Sequence, residues 1–409
     1  MSVSAASERE ISRPEFIALI AALMALNALA IDVMLPALPF MGEALKVVNE
    51  NDRQLVLSAY LIGFGLAQLV YGPITDRFGR RAPLFVGIAI YVATVFCALI
   101  APNYATLLGL RFIQGLGAAG TRVIALSVVR DRFAGRKMAE VMALVFMVFM
   151  IIPIVAPSIG QVILLTGPWT HIFIFMGGLA SVIGLWAYAR LPETLPAEKR
   201  RPFSLGAIAS GFRMVFSDRT AVSYALASTF VFGALFGFIN TAQQIYVDIY
   251  GLGSLFPLAF AVVAGLMSVS SFLNSRFVGR LGMRRLSHFA LLSFTAISGI
   301  WLVLSLFGNL PFLLFLGLFA AIMFMFGWTG SNMNSLAMEP LGAVAGTASS
   351  VFGFMQTVGG AVIGAGIGQM FNGSTTPVAA GYFFVGLIAI ACVLFAERGK
   401  LFGVGEEYQ

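Results

Sequence analysis

Long apolar runs separated by short polar connectors dominate the pattern of this chain. About 20 consecutive apolar residues cross a bilayer as a helix, because a helix satisfies its own backbone hydrogen bonds where water is absent. Barrel strands would instead show segments of about ten residues with alternating polarity. The runs predict twelve membrane-spanning helices, at about 15–40, 53–74, 83–101, 104–129, 138–166, 170–191, 219–246, 255–278, 287–308, 311–336, 344–371 and 376–396.

Composition supports a membrane protein. Hydrophobic residues make up 59% of the 409 residues and charged residues 11%, and the mean hydropathy is +0.93. An ordinary soluble domain carries roughly 25% charged residues. The composition therefore excludes an ordinary soluble protein, and the expected fold class is an all-α membrane protein in which the lipid bilayer takes the place of water.

Basic residues cluster on one side of the predicted membrane. That side holds, in its connectors and tails, Arg9, Arg13, Arg77, Arg80, Arg81, Arg130, Arg132, Arg136, Lys137, Lys199, Arg200, Arg201, Arg213, Arg219, Arg280, Arg284, Arg285, Arg398 and Lys400. The opposite side holds Lys46 and Arg53. The positive-inside rule places the basic side in the cytoplasm, so both termini are expected there, in a bacterial inner membrane. This bias accounts for the net charge of +7 without a nucleic-acid partner.

The longest polar stretch, 192–218, predicts a cytoplasmic linker between two six-helix bundles, at 1–191 and 219–409. A weak internal repeat agrees with this division. The run Asp76-Arg77-Phe78-Gly79-Arg80-Arg81 follows the second span, and Gly279-Arg280-Leu281-Gly282-Met283-Arg284-Arg285 follows the eighth. A parallel repeat of this kind predicts two bundles around a site at the midplane of the membrane.

The connector after the second span has the pattern G-x-x-x-D-R-x-G-R-R. Its glycines and Pro73 favour a tight reversal, and we expect Asp76 near the start of the next helix, where the helix dipole favours a carboxylate. A basic loop that only sets the topology remains an alternative. The whole pattern resembles the signature of the major facilitator superfamily, in which this loop is a cytoplasmic gate held by ion pairs. The resemblance implies that role for Gly72, Asp76, Arg77, Gly79, Arg80 and Arg81, together with Arg130 at the end of the fourth span.

The fourth span contains two arginines at membrane depth. An arginine inside a span costs about 2.5–3.5 kcal/mol on insertion scales, so it is expected to face a partner or water rather than lipid. Arg111 and Arg122 are eleven residues apart, which is about three helical turns, and therefore share one face. The run from Arg111 through Gln114 resembles a second motif of the superfamily, whose arginine lies in the central cavity. Arg122 has two open interpretations, contact with an anionic substrate or pairing with a group nearer the cytoplasm.

Asp32 is the only carboxylate well inside an apolar run. Counted from the ends of their spans, Asp32 and Arg111 lie at similar height, so we expect that they can pair. Burial disfavours a charged carboxylate, whereas a neighbouring arginine favours it. An acid balanced between these effects can gain and lose a proton during transport, with H+ as the coupling ion. A fixed structural ion pair is the alternative.

The fifth span contains prolines four residues apart, which remove backbone donors and are expected to bend the helix. The stretch from Pro153 through Pro157 to Gly160 resembles the antiporter motif of the exporting branches of the superfamily. Ala156 and Gln161 depart from that motif, since many members have glycine at both positions. The resemblance implies a kinked span that supports export.

Three segments resemble one branch in particular, the bicyclomycin-resistance (Bcr/CflA) group of twelve-span drug:proton antiporters. They are 35–39, 331–340 and 345–350. A departure occurs at Ala242-Gln243, where relatives often have Ser-Pro, so the particular drug stays open. The candidate substrate cavity comprises Gln114, Arg122, Asn240, Gln243, Gln244, Trp328, Asn332 and Gln356.

These features predict a proton-coupled exporter of small amphipathic compounds that works by alternating access. The alternative is an exporter or symporter of a metabolite such as a sugar, nucleoside or amino acid. We expect no enzyme activity, because no nucleophile–base set stands out, and no metal site, because Cys97, Cys392, His171 and His288 are dispersed. Each chain is expected to hold a complete pathway as a monomer, with no cofactor.

Overall fold

A computed structural model describes residues 11–133, 135–200 and 204–403. The side chains at 135, 136, 139, 143, 146, 148–150, 205, 207 and 342–347 are outside this description. Two basic residues of the sequence analysis, Arg9 and Arg201, therefore lie outside the described residues. For Arg136 and the motif positions 345–347, only the backbone is described.

Six long helices form the N-terminal half. They are α1 (Arg13–Asp32), α2 (Leu55–Phe78), α3 (Arg81–Ala98), α4 (Tyr104–Arg132), α5 (Gly135–Leu164) and α6 (Thr170–Arg190). The first span continues beyond α1 through a 3-10 turn, Leu35–Ala37, and a short helix, Leu38–Ala44. In the predicted linker, residues Leu205–Ser217 form a further helix that the apolar-run pattern did not single out.

Six corresponding spans form the C-terminal half. They are α7 (Arg219–Gln243), α8 (Phe256–Leu281), α9 (Met283–Ser305), α10 (Phe312–Met338), α11 (Ala345–Phe354 and Gly360–Gln369) and α12 (Thr376–Ala396). A π-helical turn, Gln244–Ile249, extends α7, and another, Met355–Gly359, joins the two parts of α11. Such π-helical turns occur frequently at functional sites.

All twelve predicted spans correspond to helices of the described residues, and the predicted all-α membrane fold is confirmed. Eleven helices among these residues are long and apolar enough to cross a membrane, and Ile151–Leu164 is a shorter apolar stretch within α5. Large apolar side chains such as Val182, Leu185 and Phe384 are exposed on the outside of the bundle. An apolar outer surface of this kind suits a protein surrounded by lipid.

Side chains cap the helices where the chain enters them. Asn103 accepts a hydrogen bond from Thr106 N at 2.9 Å before α4. Asp218 accepts one from Ala221 N at 2.7 Å before α7. These caps satisfy backbone donors that the first helical turn leaves unpaired.

Close packing of α2 against α4 fixes the core of the N-terminal half. A Cβ on Gly63 would collide with the backbone carbonyl of Phe112, and one on Gly115 with the carbonyl of Tyr60. Glycines let two helix backbones approach in this way, because small residues replace side-chain bulk at membrane interfaces. The contact sets the position of Arg111 and Gln114 relative to α2.

The two halves meet mainly where α2 packs against α11. Gln68 donates a hydrogen bond to Thr357 Oγ1 at 3.1 Å, and a Cβ on Gly65 would lie 2.6 Å from the Val358 side chain. A second contact between the halves brings α5 against α8. The space enclosed by the two halves is where a midplane site is expected in this architecture.

Candidate functional site

Asp32 is the last residue of α1 and is 5% exposed. Among the described residues its carboxylate makes no hydrogen bond or ion pair. Gly160 of α5 packs against the turn that directly follows Asp32. A Cβ added to Gly160 would collide with the Val33 carbonyl and lie 3.1 Å from Pro36. The glycine of the antiporter-like motif therefore permits the close approach of α5 to the segment that carries Asp32.

Arg111 is fully buried and donates hydrogen bonds to three neutral acceptors. Its guanidinium donates to Gln114 Oε1 at 2.7 Å, to Ala30 O at 2.8 Å and to Val56 O at 3.3 Å. It also lies 4.6 Å from the centroid of the Tyr60 ring. The expected ion pair with Asp32 is not formed in this conformation, because the guanidinium binds a carbonyl two residues before the acid.

A polar network that the sequence analysis missed lies beside Arg111. Asn27 donates to Thr121 Oγ1 at 2.9 Å and accepts from Tyr60 OH at 3.2 Å. All three side chains are buried. The network joins α1, α2 and α4, so the helix that carries Asp32 is tied to the helix that carries Arg111. An asparagine inside an apolar span was the signal available in the sequence.

Arg122 lies on the same face of α4, about three turns further along the helix. Its guanidinium lies 5.9 Å from the centroid of the Phe64 ring, and the residue is partly exposed. Among the described residues, no hydrogen bond or ion pair of Arg122 is present. The predicted alternative of an ion pair nearer the cytoplasm is therefore not formed.

Arg80 is the centre of the predicted gate loop. Its guanidinium binds Asp76 Oδ1 at 2.7 Å, Asp131 Oδ2 at 2.9 Å and Thr75 Oγ1 at 3.0 Å. Burial alone would lower the pKa of Arg80, but the hydrogen bonds to Asp131 and Asp76 raise it above its ordinary value. Asp76 belongs to the last turn of α2, so the expectation that it begins the next helix is wrong. The helix continues through Pro73 to Phe78.

Glu193, at the start of the linker, completes this arrangement. Its carboxylate accepts from the backbone N–H groups of Arg80 at 2.8 Å and Arg81 at 3.1 Å. Gly79 makes the turn with φ of +86°, and a Cβ there would lie 2.6 Å from Glu193 Oε2. Burial raises the pKa of Glu193, but the N–H donors and the nearby Arg200 outweigh it and lower the pKa below its usual range. We call Arg80 with Asp76, Asp131 and Glu193 the N-half clamp.

Other members of the predicted gate lie outside the clamp. Arg77 is exposed and lies 5.4 Å from the centroid of the Phe78 ring, and Arg130 is exposed. Arg81 donates to the Tyr188 carbonyl at 2.9 Å. Gly72 faces the other half, where a Cβ would lie 3.6 Å from Ser350 Oγ. The ion pairs of this loop thus hold the N-terminal half together and do not connect the halves.

The C-terminal half carries a matching set of charges, the C-half clamp. Arg284 binds Glu339 Oε2 at 2.8 Å and Glu397 Oε1 at 3.0 Å. Each member follows its counterpart in the N-half clamp by about 204–208 residues, as an internal duplication requires. The counterparts are Arg80 and Arg284, Asp131 and Glu339, and Glu193 and Glu397. The repeat suspected in the loops therefore extends to the carboxylates at the helix ends.

The prolines of the predicted kink both lie inside α5. This helix is continuous from Gly135 to Leu164, with Pro153 and Pro157 in its interior. Pro157 is buried, whereas Pro153 is partly exposed.

Of the predicted cavity residues, the structure places Asn240 and Gln244 between the halves. Asn240 donates to Ser58 Oγ at 3.4 Å, and Gln244 donates to Asn51 Oδ1 at 2.8 Å. Asn51 also donates to the Gln369 carbonyl at 3.1 Å. These neutral contacts close the end of the bundle that carries the 45–54 and 370–375 connectors.

Apart from Arg122, the remaining predicted cavity residues bind partners of their own half. Gln114 accepts from Arg111, while its Nε2 has no partner among the described residues. The other four contacts are Gln243 to Asp248 at 3.4 Å, Trp328 Nε1 to the Ser270 carbonyl at 2.9 Å, Asn332 to Asn274 Oδ1 at 2.8 Å and Gln356 to Ser228 Oγ at 2.7 Å. In this conformation they support the packing of α7, α8, α10 and α11.

Comparisons with known proteins agree with this architecture. The model of the Major Facilitator Superfamily matches residues 20–364. YdgK of Bacillus subtilis, an uncharacterized MFS-type transporter, is 32% identical over 352 residues, which cover 84% of this chain and 86% of YdgK. A bicyclomycin resistance protein homolog of Haemophilus influenzae is 30% identical over 387 residues, which cover 93% of this chain and 94% of that protein. The crystal structure of a point mutant of the nucleoside transporter NupG has a similar fold, with a TM-score of 0.70 at 14% identity, over 94% of this chain and 99% of NupG.

Proposed function

This chain belongs to the major facilitator superfamily and is a transporter rather than an enzyme, and we propose that it exports small amphipathic compounds, including drugs, in exchange for protons. Transport would proceed by alternating access, with the two halves moving around a site at mid-membrane. We place the protein in the bacterial inner membrane as a monomer, with both termini in the cytoplasm.

The observation that carries the proposal is the position of Asp32. An ionised carboxylate in apolar surroundings is costly unless it is paired, and proton binding removes that cost. Asp32 is buried at the end of α1, and the described residues provide it with no ion pair. Its proton affinity therefore depends on how much water the surrounding helices admit. A conformational change that opens this region alternately to each side would bind and release a proton.

Arg111 would act on Asp32 indirectly. Its guanidinium holds the Ala30 carbonyl and so positions the last turn of α1. Because Ala30 and Asp32 belong to that same turn, the positive charge also favours release of the proton when the site is open to the cytoplasm. The close packing of Gly160 on Val33 would transmit a tilt of α5 to the same turn.

The choice of drugs as cargo is supported by the relatives. The bicyclomycin resistance protein homolog and the multidrug resistance protein MdtL of Escherichia coli, which is 28% identical over 403 residues, match nearly the whole chain. Inward movement of a proton supplies about 2.3 kcal/mol per 100 mV of membrane potential. This driving force is sufficient for a carrier that uses no nucleotide.

Proton coupling is tested in liposomes that contain the purified protein and a pH-sensitive dye at acidic internal pH. Addition of bicyclomycin, chloramphenicol or florfenicol to the outside is expected to raise the internal pH as protons leave in exchange for the compound. Asp32→Asn is expected to abolish this signal, whereas Glu43→Gln, which neutralises an exposed carboxylate, should retain it. Undiminished exchange by a folded Asp32→Asn protein would disprove the assignment.

A further inference from the structure

Arg122 lies inside the bundle at the level where the two halves meet. Phe64, the ring that its guanidinium faces, is 4% exposed. The next residue, Gly65, packs directly on Val358 of α11. One turn further along α2, Gln68 binds Thr357 of the same helix. Arg122 is therefore close to the boundary between the halves rather than to the lipid.

The two arginines of α4 differ in what their charges can do. Arg111 is fully buried, and each of its three guanidinium nitrogens donates a hydrogen bond to an oxygen. Arg122 is partly exposed, and the described residues give it a ring contact but no acceptor. An arginine at membrane depth is costly without an acceptor and is typically found along a substrate pathway. Its positive charge can donate charge-assisted hydrogen bonds to the oxygens of an organic anion.

We propose that Arg122 is the anion-recognition group of the transport pathway and that the cargo includes flat aromatic compounds bearing a sulfonate or carboxylate. The Phe64 ring beside the guanidinium is nearly buried in this conformation, and it would offer an apolar surface for the body of such a compound when the two halves separate here. This inference rests on the proposed export function, which leaves the charge of the cargo open.

The test compares two fluorescent naphthalene compounds that differ in charge, the anion dansylate and the neutral dansylamide. Binding to the purified protein in nanodiscs is measured at neutral pH by fluorescence anisotropy. The wild-type protein is expected to bind dansylate about tenfold more tightly than dansylamide, as one charge-assisted contact allows. Arg122→Gln should weaken dansylate binding by about tenfold and leave dansylamide binding unchanged.

A matched control removes the same charge elsewhere. Arg276→Gln acts on an exposed arginine of α8 and should change neither affinity. Dansylamide binding reports the integrity of each variant. If Arg122→Gln does not bind dansylamide, Arg122→Lys decides, because it keeps the charge and is expected to keep the preference for dansylate.

Three results would overturn the proposal: no preference for dansylate in the wild type, an unchanged preference in Arg122→Gln, or a lost preference in Arg122→Lys. None of these measurements uses a pH gradient. A failure of proton coupling in the liposome assay would therefore leave the binding result intact, and the two proposals fail separately.

Discussion

Replacing Arg80 by glutamine should destabilise the N-terminal half through the loss of its clamp. The Arg80 side chain is 8% exposed, that of Asp131 17% and that of Asp76 47%. Removing one partner of a buried ion pair costs about 3–5 kcal/mol, whereas an exposed pair contributes about 0–1 kcal/mol. The contact with Asp131 lies near the buried limit and that with Asp76 near the exposed one. Because Thr194 still donates to Asp131 at 2.8 Å, we expect a total loss of about 2–3 kcal/mol.

The assay is thermal unfolding of purified protein in detergent, followed by tryptophan fluorescence. A loss of 1 kcal/mol lowers the melting temperature by about 2–4 °C for a unit of 150–250 residues, so Arg80→Gln should melt about 5 °C lower or more. Arg77→Gln is the matched control, because Arg77 is exposed in the last turn of α2, three residues before Arg80, and should melt within about 1 °C of the wild type. If both variants melt alike, the clamp does not stabilise this half and the reasoning fails.

Three further changes test other parts of the structure. Gly160→Val should abolish transport, because its side chain would displace Val33 and the chain segment after Asp32; normal transport by this variant would exclude a role for that contact. Glu193→Gln should lower the melting temperature at neutral pH. Since the folded-state pKa of Glu193 is depressed, its contribution is present above the unfolded value of about 4.3 and is lost as the pH falls through the folded pKa, so the two melting temperatures should converge in acid. Asn51→Ala removes neutral hydrogen bonds between the halves. In a protein without native cysteines, it should raise the rate at which maleimide labels a cysteine introduced at Ser58 by about tenfold. An unchanged labelling rate would show that Asn51 does not hold this end closed.

The twelve spans could be predicted because helix length and apolar composition are local properties. Each predicted run corresponds to a helix of the described residues, to within a few residues at most ends. The error at Asp76 has a local cause, since Gly72 and Pro73 suggested a break that the helix does not make. Proline is tolerated inside membrane helices when neighbouring groups satisfy the carbonyl that it frees, and here the helix continues through Pro73 to Phe78.

Partners across the bundle could not be predicted, because they depend on the rotation and height of each helix. Arg111 and Asp32 were placed at similar height, yet Arg111 binds backbone carbonyls of α1 and α2. The carboxylates of the clamps were within reach of sequence reasoning. Aligning the two halves beyond their loops would have matched Asp131 with Glu339 and Glu193 with Glu397.

The clamps and the contacts between the halves differ in kind. Among the described residues, every ion pair joins two residues of the same half, whereas the bridges through Asn51, Asn240 and Gln68 join uncharged amides, hydroxyls and carbonyls. Mobile electrolyte weakens attraction between exposed charges but has little effect on uncharged partners. The balance between closed and open forms should therefore depend only weakly on the salt concentration around the protein.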